Sequence, residues 1–230
     1  MNLKIGIIIP DRGDRPELLK NCIRMMKNQT VQPIEICVVD DPPKDPKKID
    51  ITYRYRIGYD RLRNKNLDCI LLIENDDWYH PKYIERMVEK WVELDKPDLC
   101  GHQYTIYYHI AIRAWLKLDH FRRASAMNTL IKPDLNFDWC VDYEPYTDIY
   151  LWMKSELKGI TWMPLTHLCI GIKHGIGNCG GAFHTTYLKR YKFQDPNFEF
   201  LKQHMDFESF DFYTKHGSHL FTKALQQDRP

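Results

Sequence analysis

The sequence predicts an α/β fold built on a mostly parallel central sheet, and three observations indicate it. In the first hundred residues, short apolar runs alternate with amphipathic segments, as expected when helices cover buried parallel strands. Two of the runs end in acidic residues. No apolar run approaches the roughly 18 residues that a membrane-spanning helix requires. A chain of 230 residues, 43% of them hydrophobic, suits one globular domain or a domain with an appendage.

The first half of the chain contains most of the predicted sheet. Apolar runs predict strands at 4–9, 33–39, 51–55, 67–73 and 97–101. Apolar residues at helical spacing predict helices at 17–28 and 81–94, and a short basic helix at 58–66. This alternation predicts parallel strands whose carboxyl ends share one edge of the sheet.

Beyond residue 102, apolar runs no longer alternate regularly with amphipathic segments. Apolar runs at 104–112, 125–131 and 160–172 predict further strands, of which the first two are expected as antiparallel additions to the sheet. A helix is predicted at 146–157, and residues 185–230 predict a C-terminal extension of one or two short helices.

The charge balance and the cysteine content bear on whether the protein binds nucleic acid and on the compartment in which it works. Thirty-three Lys and Arg against 31 Asp and Glu give a formal net charge of +2, which does not by itself indicate nucleic acid binding. The seven cysteines are odd in number and form no C-x-x-C pair, a pattern typical of free thiols in a reducing compartment. We therefore expect a cytoplasmic protein with no membrane span.

Two acidic clusters follow predicted strands. Asp40 and Asp41 end the second strand, and Glu74-Asn75-Asp76-Asp77 follows the fourth. Each cluster alone could cap a helix. Parallel strands would bring both clusters to one edge, where ligands bind in open α/β sheets. Carboxylates gathered there repel each other unless a cation compensates, and hard oxygen ligands select Mg²⁺ or Mn²⁺.

Six motifs in order resemble glycosyltransferase family 2, and together they span about residues 4–100. They are Ile7–Pro10, Asp14–Leu19, Gln29–Thr30, Pro33–Ile36, Val38–Asp41 and Leu72–Pro81. The resemblance implies the GT-A fold: a Rossmann-like, mostly parallel central sheet flanked by helices, with antiparallel additions and a C-terminal helical tail. The typical acidic motif of that family is Asp-x-Asp followed by a further Asp, and Glu74 takes its first place here.

The resemblance implies a nucleotide-sugar site and assigns residues to it. Donor binding is expected of Pro10, Asp11, Arg15, Asp40, Asp41, Arg63, Asn64, Glu74 and Asn75. Asp76 would hold Mn²⁺ or Mg²⁺ on the diphosphate, because a divalent ion and basic groups neutralise such a leaving group. His174 opens a glycine-rich run at 174–181 and is a second candidate for metal or diphosphate binding. For Arg63 the alternative is a solvated helix charge, and for His174 it is a structural histidine.

A later segment carries the expected catalytic residue. Residues Thr147–Lys154 are similar to the Glu-Asp-x-x-Leu-Trp segment of the same family, whose Asp is the general base in inverting members. The resemblance therefore implies Asp148 as the base, and helix capping is its structural alternative. Trp78 and Trp139 lie beside acidic residues in predicted loops and are expected to contact the acceptor, with core packing as the alternative.

The expected activity is metal-dependent transfer of a sugar, with inversion, from a nucleotide-diphosphate donor such as a UDP-sugar to an acceptor hydroxyl. The acceptor is a glycan or a hydroxymethylated DNA base, for which a local basic cluster is available at Arg113, Lys117, Arg122 and Arg123. Residues 1–184 would form the GT-A domain, with a nucleotide-sugar half at 1–101 and an acceptor and catalytic half at 102–184. Two alternatives stay open: an inactive sugar-nucleotide or glycan-binding module, and a nucleotidyltransferase, which would require a glycine-rich loop after the first strand.

Overall fold

The computed structural model describes residues 3–43, 45, 47–174 and 188–217. Its strands are β1 (Ile5–Pro10), β2 (Glu35–Val39), β3 (Cys69–Leu72), β4 (Trp78–Tyr79), β5 (Leu99–His102), β6 (Tyr104–His109), β7 (Ala114–Asp119), β8 (Thr129–Ile131), β9 (Gly159–Trp162), β10 (Cys169–Lys173) and β11 (Phe193–Gln194). Its α-helices are α1 (Pro16–Lys27), α2 (Ile51–Leu62), α3 (Tyr83–Glu93), α4 (Thr147–Met153), α5 (Glu199–His204) and α6 (Phe207–Phe212).

The strands form two sheets, and the first is the predicted central sheet. Its order is β2-β1-β3-β8-β5-β9. β1 is parallel to β2 and β3, β5 is parallel to β9, and β8 is antiparallel to both of its neighbours. The second sheet has the order β11-β7-β6-β10-β4 and is antiparallel except for the β6–β10 pair. The predicted α/β class, with a mostly parallel sheet and antiparallel additions, is confirmed.

β1 lies at the centre of the fold because it is buried on both faces. Ile5, Ile7 and Ile9 pack into a core cluster that includes residues of α1 and α3, while Ile8 packs into a second cluster with residues of α2. Alternate residues of a strand point to opposite faces. The continuous apolar run therefore reflects helices on both sides of the sheet.

The prediction of a third strand at 51–55 is wrong, because these residues form the first turns of α2. The β-branched and aromatic residues Ile51, Thr52, Tyr53 and Tyr55 favour a strand locally. Packing against the sheet decides otherwise, since Tyr55 is fully buried in the cluster that Ile8 also joins. The basic helix predicted at 58–66 is the second half of the same helix.

Gly58 allows α2 to approach β1 closely. A Cβ atom at this position would lie 2.3 Å from Ile8 Cγ2 and 3.2 Å from Val39 Cγ2. Such distances are too short for a carbon contact, so a side chain would push the helix away from the strand.

Three further predicted boundaries differ. The run 160–172 forms two strands, β9 and β10, which lie in different sheets. β4 and β7 are additional strands that the sequence did not predict, and α4 ends at Met153 rather than near 157. These short elements depend on pairing with distant strands, which a local pattern does not reveal.

The described part of the C-terminal extension packs on the same core. β11 pairs with β7, and Leu201 and Met205 are buried in the core cluster of β1. Arg24 of α1 donates hydrogen bonds to Glu208 at 2.9 Å and Ser209 at 2.8 Å. The extension is therefore mixed rather than only helical, while the division of the chain at residue 184 stays a prediction. Among the described residues, every helix is too short or too polar to cross a bilayer.

We predict that Gly58→Ala destabilises the protein by about 1 kcal/mol or more. Alanine gains up to about 1 kcal/mol in helix propensity over glycine, but overpacking against Ile8 costs about 1–3 kcal/mol. Urea unfolding measures the difference. Asp60→Ala, at an exposed position of the same helix, is the control and should change stability by less than about 0.5 kcal/mol. A stabilised Gly58→Ala protein would contradict the close contact between α2 and β1.

Candidate functional site

A cavity of about 520 Å³ opens at the carboxyl ends of β1 and β3. β1 contributes Pro10, the loop after β3 contributes Glu74 and Asp76, and β10 contributes Lys173. Asp148, in the first turn of α4, lines the same space. The topology thus brings together residues that are far apart in sequence, at the sheet edge where the sequence predicted a site.

Three carboxyl groups after β3 form a compact cluster. Oxygen atoms of Glu74, Asp76 and Asp77 all lie within 4.8 Å of one another. Asp77 Oδ1 accepts a hydrogen bond from the backbone N–H of Ile172 at 2.8 Å, while its Oδ2 is buried without a hydrogen-bond partner in the described parts of the chain. We call Glu74, Asp76 and Asp77 the acidic triad.

Basic groups from distant segments face the acidic triad. Arg15, at the start of α1, donates from Nη1 to Asp76 Oδ2 at 2.5 Å, and His174 Nε2 lies 3.0 Å from the same oxygen. Lys173 is buried at the end of β10, and its Nζ lies 4.8 Å from the centre of the Tyr107 ring. Two residues adjacent in sequence, Lys173 and His174, therefore reach the acidic cluster from a different sheet.

The charges of the cluster shift its pKa values in opposite directions. Burial raises the pKa of Glu74 to about 7, with Lys173 opposing this shift and Asp76 adding to it. Burial alone would raise the pKa of Asp76, but Arg15 and His174 bring it below the ordinary aspartate value. Burial alone would lower the pKa of Lys173, but Asp77 and Glu74 raise it above the ordinary lysine value. Lys173 is therefore a permanently charged group in the wall of the cavity.

A hydrogen-bonded chain connects three of the predicted donor-binding residues. Arg15 Nη2 donates to Asn75 Oδ1 at 3.2 Å, and Asn75 Nδ2 donates to Asp11 Oδ1 at 2.6 Å. Asp11 Oδ2 in turn accepts from the backbone N–H of Gly13 at 2.9 Å. The structure thus brings together Asp11, Arg15 and Asn75, and the chain fixes the orientation of Arg15 toward Asp76.

A buried ion pair lies next to these hydrogen-bonded residues, and the sequence did not predict it. Arg54 is 1% exposed, and its Nη2 lies 2.9 Å from Asp50 Oδ2. Arg54 Nη1 also donates to the carbonyl of Val39 at 2.8 Å, and Arg12 Nη1 lies 3.4 Å from Asp50 Oδ1. Both members of the pair line the cavity. Asp50 and Arg54 are four residues apart, and this spacing indicates an ion pair only when residues 50–54 are assigned to a helix.

Asp148 is held by Arg123, and its carboxylate also interacts with the backbone N–H groups of Ile149 and of Asp148 itself. Tyr146 takes the N-cap position of α4 without a side-chain hydrogen bond, and Asp148 is the second residue of the helix. Its roles as base and as helix cap both stay predictions. Its Oδ2 accepts a short hydrogen bond from Arg123 Nη1. Burial raises the pKa of Asp148 above the ordinary value, although Arg123 acts in the opposite direction.

Several predicted donor-binding residues lie outside the cavity. Asp40 and Asn64 are exposed, and Asp41 forms an exposed ion pair with Arg61 at 2.7 Å. Arg63 donates to the carbonyl of Leu135 at 3.4 Å. Their roles stay predictions, and Asp50 and Arg54 occupy the part of the cavity nearest to the end of β2.

The two tryptophans predicted as acceptor contacts differ in their surroundings. Trp78 has no exposed surface and packs in the core as part of β4, so the expectation that it contacts an acceptor is wrong for this structure. Trp139 is partly exposed and lies in a separate groove beside α2. The glycine-rich run that follows His174 falls outside the described residues.

The acidic triad fits a divalent cation. Its donors are hard carboxylate oxygens that lie within 4.8 Å of one another, and Asp77 Oδ2 is a buried oxygen that a cation would satisfy. His174 lies against the same oxygen of Asp76 that Arg15 contacts. The triad could therefore hold a metal, and its identity is open between Mg²⁺ and Mn²⁺.

We predict that Arg54→Leu destabilises the protein by about 3 kcal/mol, because Asp50 then loses its closest buried partner. Arg61→Leu on the same helix is the matched control, since its pair with Asp41 is exposed on both sides and should cost less than about 1 kcal/mol. Urea unfolding of both variants measures the difference. Equal losses would show that Asp50 does not depend on Arg54.

Sequence comparisons give two short matches to known proteins. No protein-family profile matches the chain. A segment of 58 residues is 31% identical to the DNA mismatch repair protein MutL of Aquifex aeolicus, covering 25% of this chain and 14% of MutL. A segment of 87 residues is 29% identical to EpsH of Bacillus subtilis, a protein assigned as a glycosyltransferase, covering 30% of this chain and 25% of EpsH. The matches thus span a minor part of these curated relatives.

Solved structures that resemble this chain do so at low sequence identity, and they include a glycosyltransferase. Residues 1–349 of TarS from S. aureus, in complex with UDP-GlcNAc, match 97% of this chain and 72% of that chain, with 10% identity and a TM-score of 0.46. A glycosyltransferase involved in glycosylation of the major capsid of PBCV-1 matches 73% of this chain and 93% of that chain, with 11% identity and a TM-score of 0.45. In its motifs at the ends of β1, β2 and β3 and in its mostly parallel, helix-flanked sheet, the chain resembles GT-A glycosyltransferases.

Proposed function

We propose that this protein transfers a sugar from a nucleotide-diphosphate donor, with a UDP-sugar as the first candidate, to an acceptor hydroxyl. The observation that supports the proposal is one cavity lined by two acidic residues, Glu74 and Asp76, two basic residues, Arg15 and Lys173, and the candidate base Asp148. A volume of about 520 Å³ lies within the range of small-molecule sites.

The donor would lie along the ends of β1 and β3. Its diphosphate carries negative charge that must be neutralised as the glycosidic bond breaks. Arg15 and Lys173 supply two positive groups in the cavity wall. A divalent ion held by Glu74 and Asp76 would stabilise the departing diphosphate as a Lewis acid. Asp11 and Asn75 keep Arg15 oriented through the hydrogen-bonded chain described above.

Asp148 would act on the acceptor as general base. Its carboxylate takes the proton of the acceptor hydroxyl while the oxygen attacks the anomeric carbon from the side opposite the departing diphosphate, which inverts the configuration. Its raised pKa makes it a stronger base than an exposed aspartate. Arg123 holds the carboxylate at the cavity wall and keeps it ionised.

Asp76→Ala should abolish the Mn²⁺-dependent part of UDP binding, because one carboxylate ligand to a hard cation is removed. A thermal shift titration with UDP, with and without Mn²⁺, measures it, since a ligand that binds the native state raises its stability. Asp134→Ala, at an exposed residue outside the cavity, is the control for loss of charge. Unchanged Mn²⁺-dependent binding in Asp76→Ala would remove Asp76 from the metal site.

Asp148→Asn should lower the release of UDP from UDP-GlcNAc by about 10²–10⁴-fold, because the amide cannot accept a proton. Folding and UDP binding should persist, since asparagine has nearly the same volume. Glu156→Gln, an exposed acid shortly after α4, should keep wild-type activity. An active Asp148→Asn protein would move the base elsewhere, first to Asp142 or Glu144.

The same assay separates the enzyme from a binding module. Wild-type protein that binds UDP-sugar with Mn²⁺ but releases no UDP, with water or with a panel of sugar acceptors, would support a module that has lost catalysis. Transfer of a nucleotide rather than a sugar would leave a sugar phosphate as the product, and this is distinguishable by mass spectrometry.

A further inference from the structure

A second concave surface lies beside α2 and shares no lining residue with the cavity among the residues described. It is an open groove of about 630 Å³ between the second half of α2 and the segment 137–143. Two arginines, Arg56 and Arg63, come from the helix, and Phe137 and Trp139 come from the segment. We call this surface the α2 groove.

We propose that the α2 groove binds a neutral oligosaccharide, as an extended subsite for the acceptor of the transfer reaction. The inference rests on the proposed function, since it places the reacting end of that oligosaccharide at Asp148. Three features of the groove support it: an aromatic platform, paired polar groups, and continuity of the chain with the cavity.

The aromatic platform consists of Phe137 and Trp139, and the buried ring of Tyr59 packs behind them. The ring centre of Tyr59 lies 5.7 Å from that of Phe137 and 5.7 Å from that of Trp139, and the centres of Phe137 and Trp139 are 5.2 Å apart. These contacts hold Trp139 in place while it stays partly exposed in the groove. A rigid indole offers a flat apolar face and a polar edge, which matches the flat carbon face and hydroxyl rim of a pyranose ring.

Paired polar groups stand next to the platform. Arg56 donates to both carboxylate oxygens of Asp142, from Nε at 3.0 Å and from Nη2 at 3.1 Å. Each side chain is 30% exposed, so the guanidinium and carboxylate offer fixed donors and acceptors to a ligand. Sugar hydroxyl groups both donate and accept, and such a pair can satisfy both at once.

The charge of the α2 groove disfavours nucleic acid. Its lining includes three aspartates, Asp60, Asp138 and Asp142, against two arginines. A phosphate backbone requires a surplus of positive charge.

Three of the four members of the basic cluster that was considered for DNA have partners within the protein. Arg123 is held by Asp148, Arg113 donates to the carbonyl of Pro196 at 2.8 Å, and Lys117 lies 4.0 Å from the centre of the Tyr104 ring. These contacts favour a neutral acceptor.

The chain connects the α2 groove to the cavity. After residue 143, the same segment continues through Pro145 and Thr147 to Asp148, all of which line the cavity. Thr52 Oγ1 donates to the carbonyl of Glu144 at 2.6 Å, which ties this segment to the first turn of α2. Arg56 and Arg63 are seven residues apart, or about 10 Å along the helix axis. The segment 137–148 therefore borders both surfaces, and the proposal assigns the acceptor a path along this segment.

Isothermal titration with cellohexaose, chitohexaose and maltohexaose tests the proposal on the full chain. At least one hexasaccharide should bind wild-type protein at up to millimolar concentration, and Trp139→Ala should weaken that binding by at least fivefold. Trp139→Phe keeps an aromatic face and should retain most of the affinity. Phe121→Ala removes an aromatic side chain that is 77% exposed outside both surfaces, and it should bind as wild type.

A second variant tests the proposal independently in case Trp139→Ala does not fold. Arg56→Met keeps the length of the side chain and removes its donors, and it should also weaken hexasaccharide binding while UDP binding with Mn²⁺ is unchanged. The proposal would be overturned if the wild-type protein bound no hexasaccharide. It would also be overturned if Trp139→Ala and Arg56→Met both bound hexasaccharide as tightly as the wild type. Binding of a single-stranded oligothymidylate that depends on Trp139 would also overturn it, in favour of a nucleic acid acceptor.

The outcomes for the two proposals are separable. Hexasaccharide binding that depends on Trp139, without any UDP binding or release, would retain the groove as a glycan site and refute the transferase. UDP-sugar turnover without hexasaccharide binding would retain the transferase and refute the groove.

Discussion

Four carboxyl groups, Asp11, Glu74, Asp76 and Asp77, are gathered at the ends of β1 and β3, and compensation of their charge is the constraint on which the site depends. Burying an uncompensated carboxylate costs several kcal/mol. Arg15 provides one compensating charge from the start of α1. Lys173 provides another from β10 in the second sheet. The two sheets are therefore joined by electrostatics as well as by apolar packing.

In this arrangement the carboxyl groups of the acidic triad differ in pKa and in the groups that they contact. Asp76 stays ionised because Arg15 and His174 stabilise its charge, whereas burial raises the pKa of Glu74 to about 7. Asp77 is tied to the backbone of β10 through Ile172 and supports the position of Lys173. One short acidic motif thus contains an aspartate with a lowered pKa, a glutamate with a raised pKa and a hydrogen bond to β10.

Helix α2 links the two surfaces that we assign to donor and acceptor. Its first turns contribute Asp50, Ile51 and Arg54 to the cavity, and its second half forms one wall of the α2 groove. Gly58 sets how closely this helix lies on β1. A change in the packing of α2 would therefore move both surfaces together, which couples the position of the acceptor subsite to that of the donor site.

The sequence by itself determined the class of the fold, the burial of β1 and β3 as parallel strands, and the acidic edge of the sheet. These follow from apolar runs long enough to be buried on both faces and from charged residues at the points where the runs end. The motifs also identified Arg15, Asn75, Asp76 and Asp148 as residues of one site, and the structure brings all four to the same cavity.

Only the tertiary structure decided the features that depend on distant partners. Residues 51–55 carry strand-forming side chains, yet they form a helix because Tyr55 and Gly58 pack on β1. Lys173 ends an apolar strand, and its charge is tolerated because the acidic triad lies opposite. Trp78 follows four polar residues in the sequence, yet the fold buries it completely. In each case the deciding energy comes from contacts between segments far apart in the chain, and local propensity and periodicity carry no record of them.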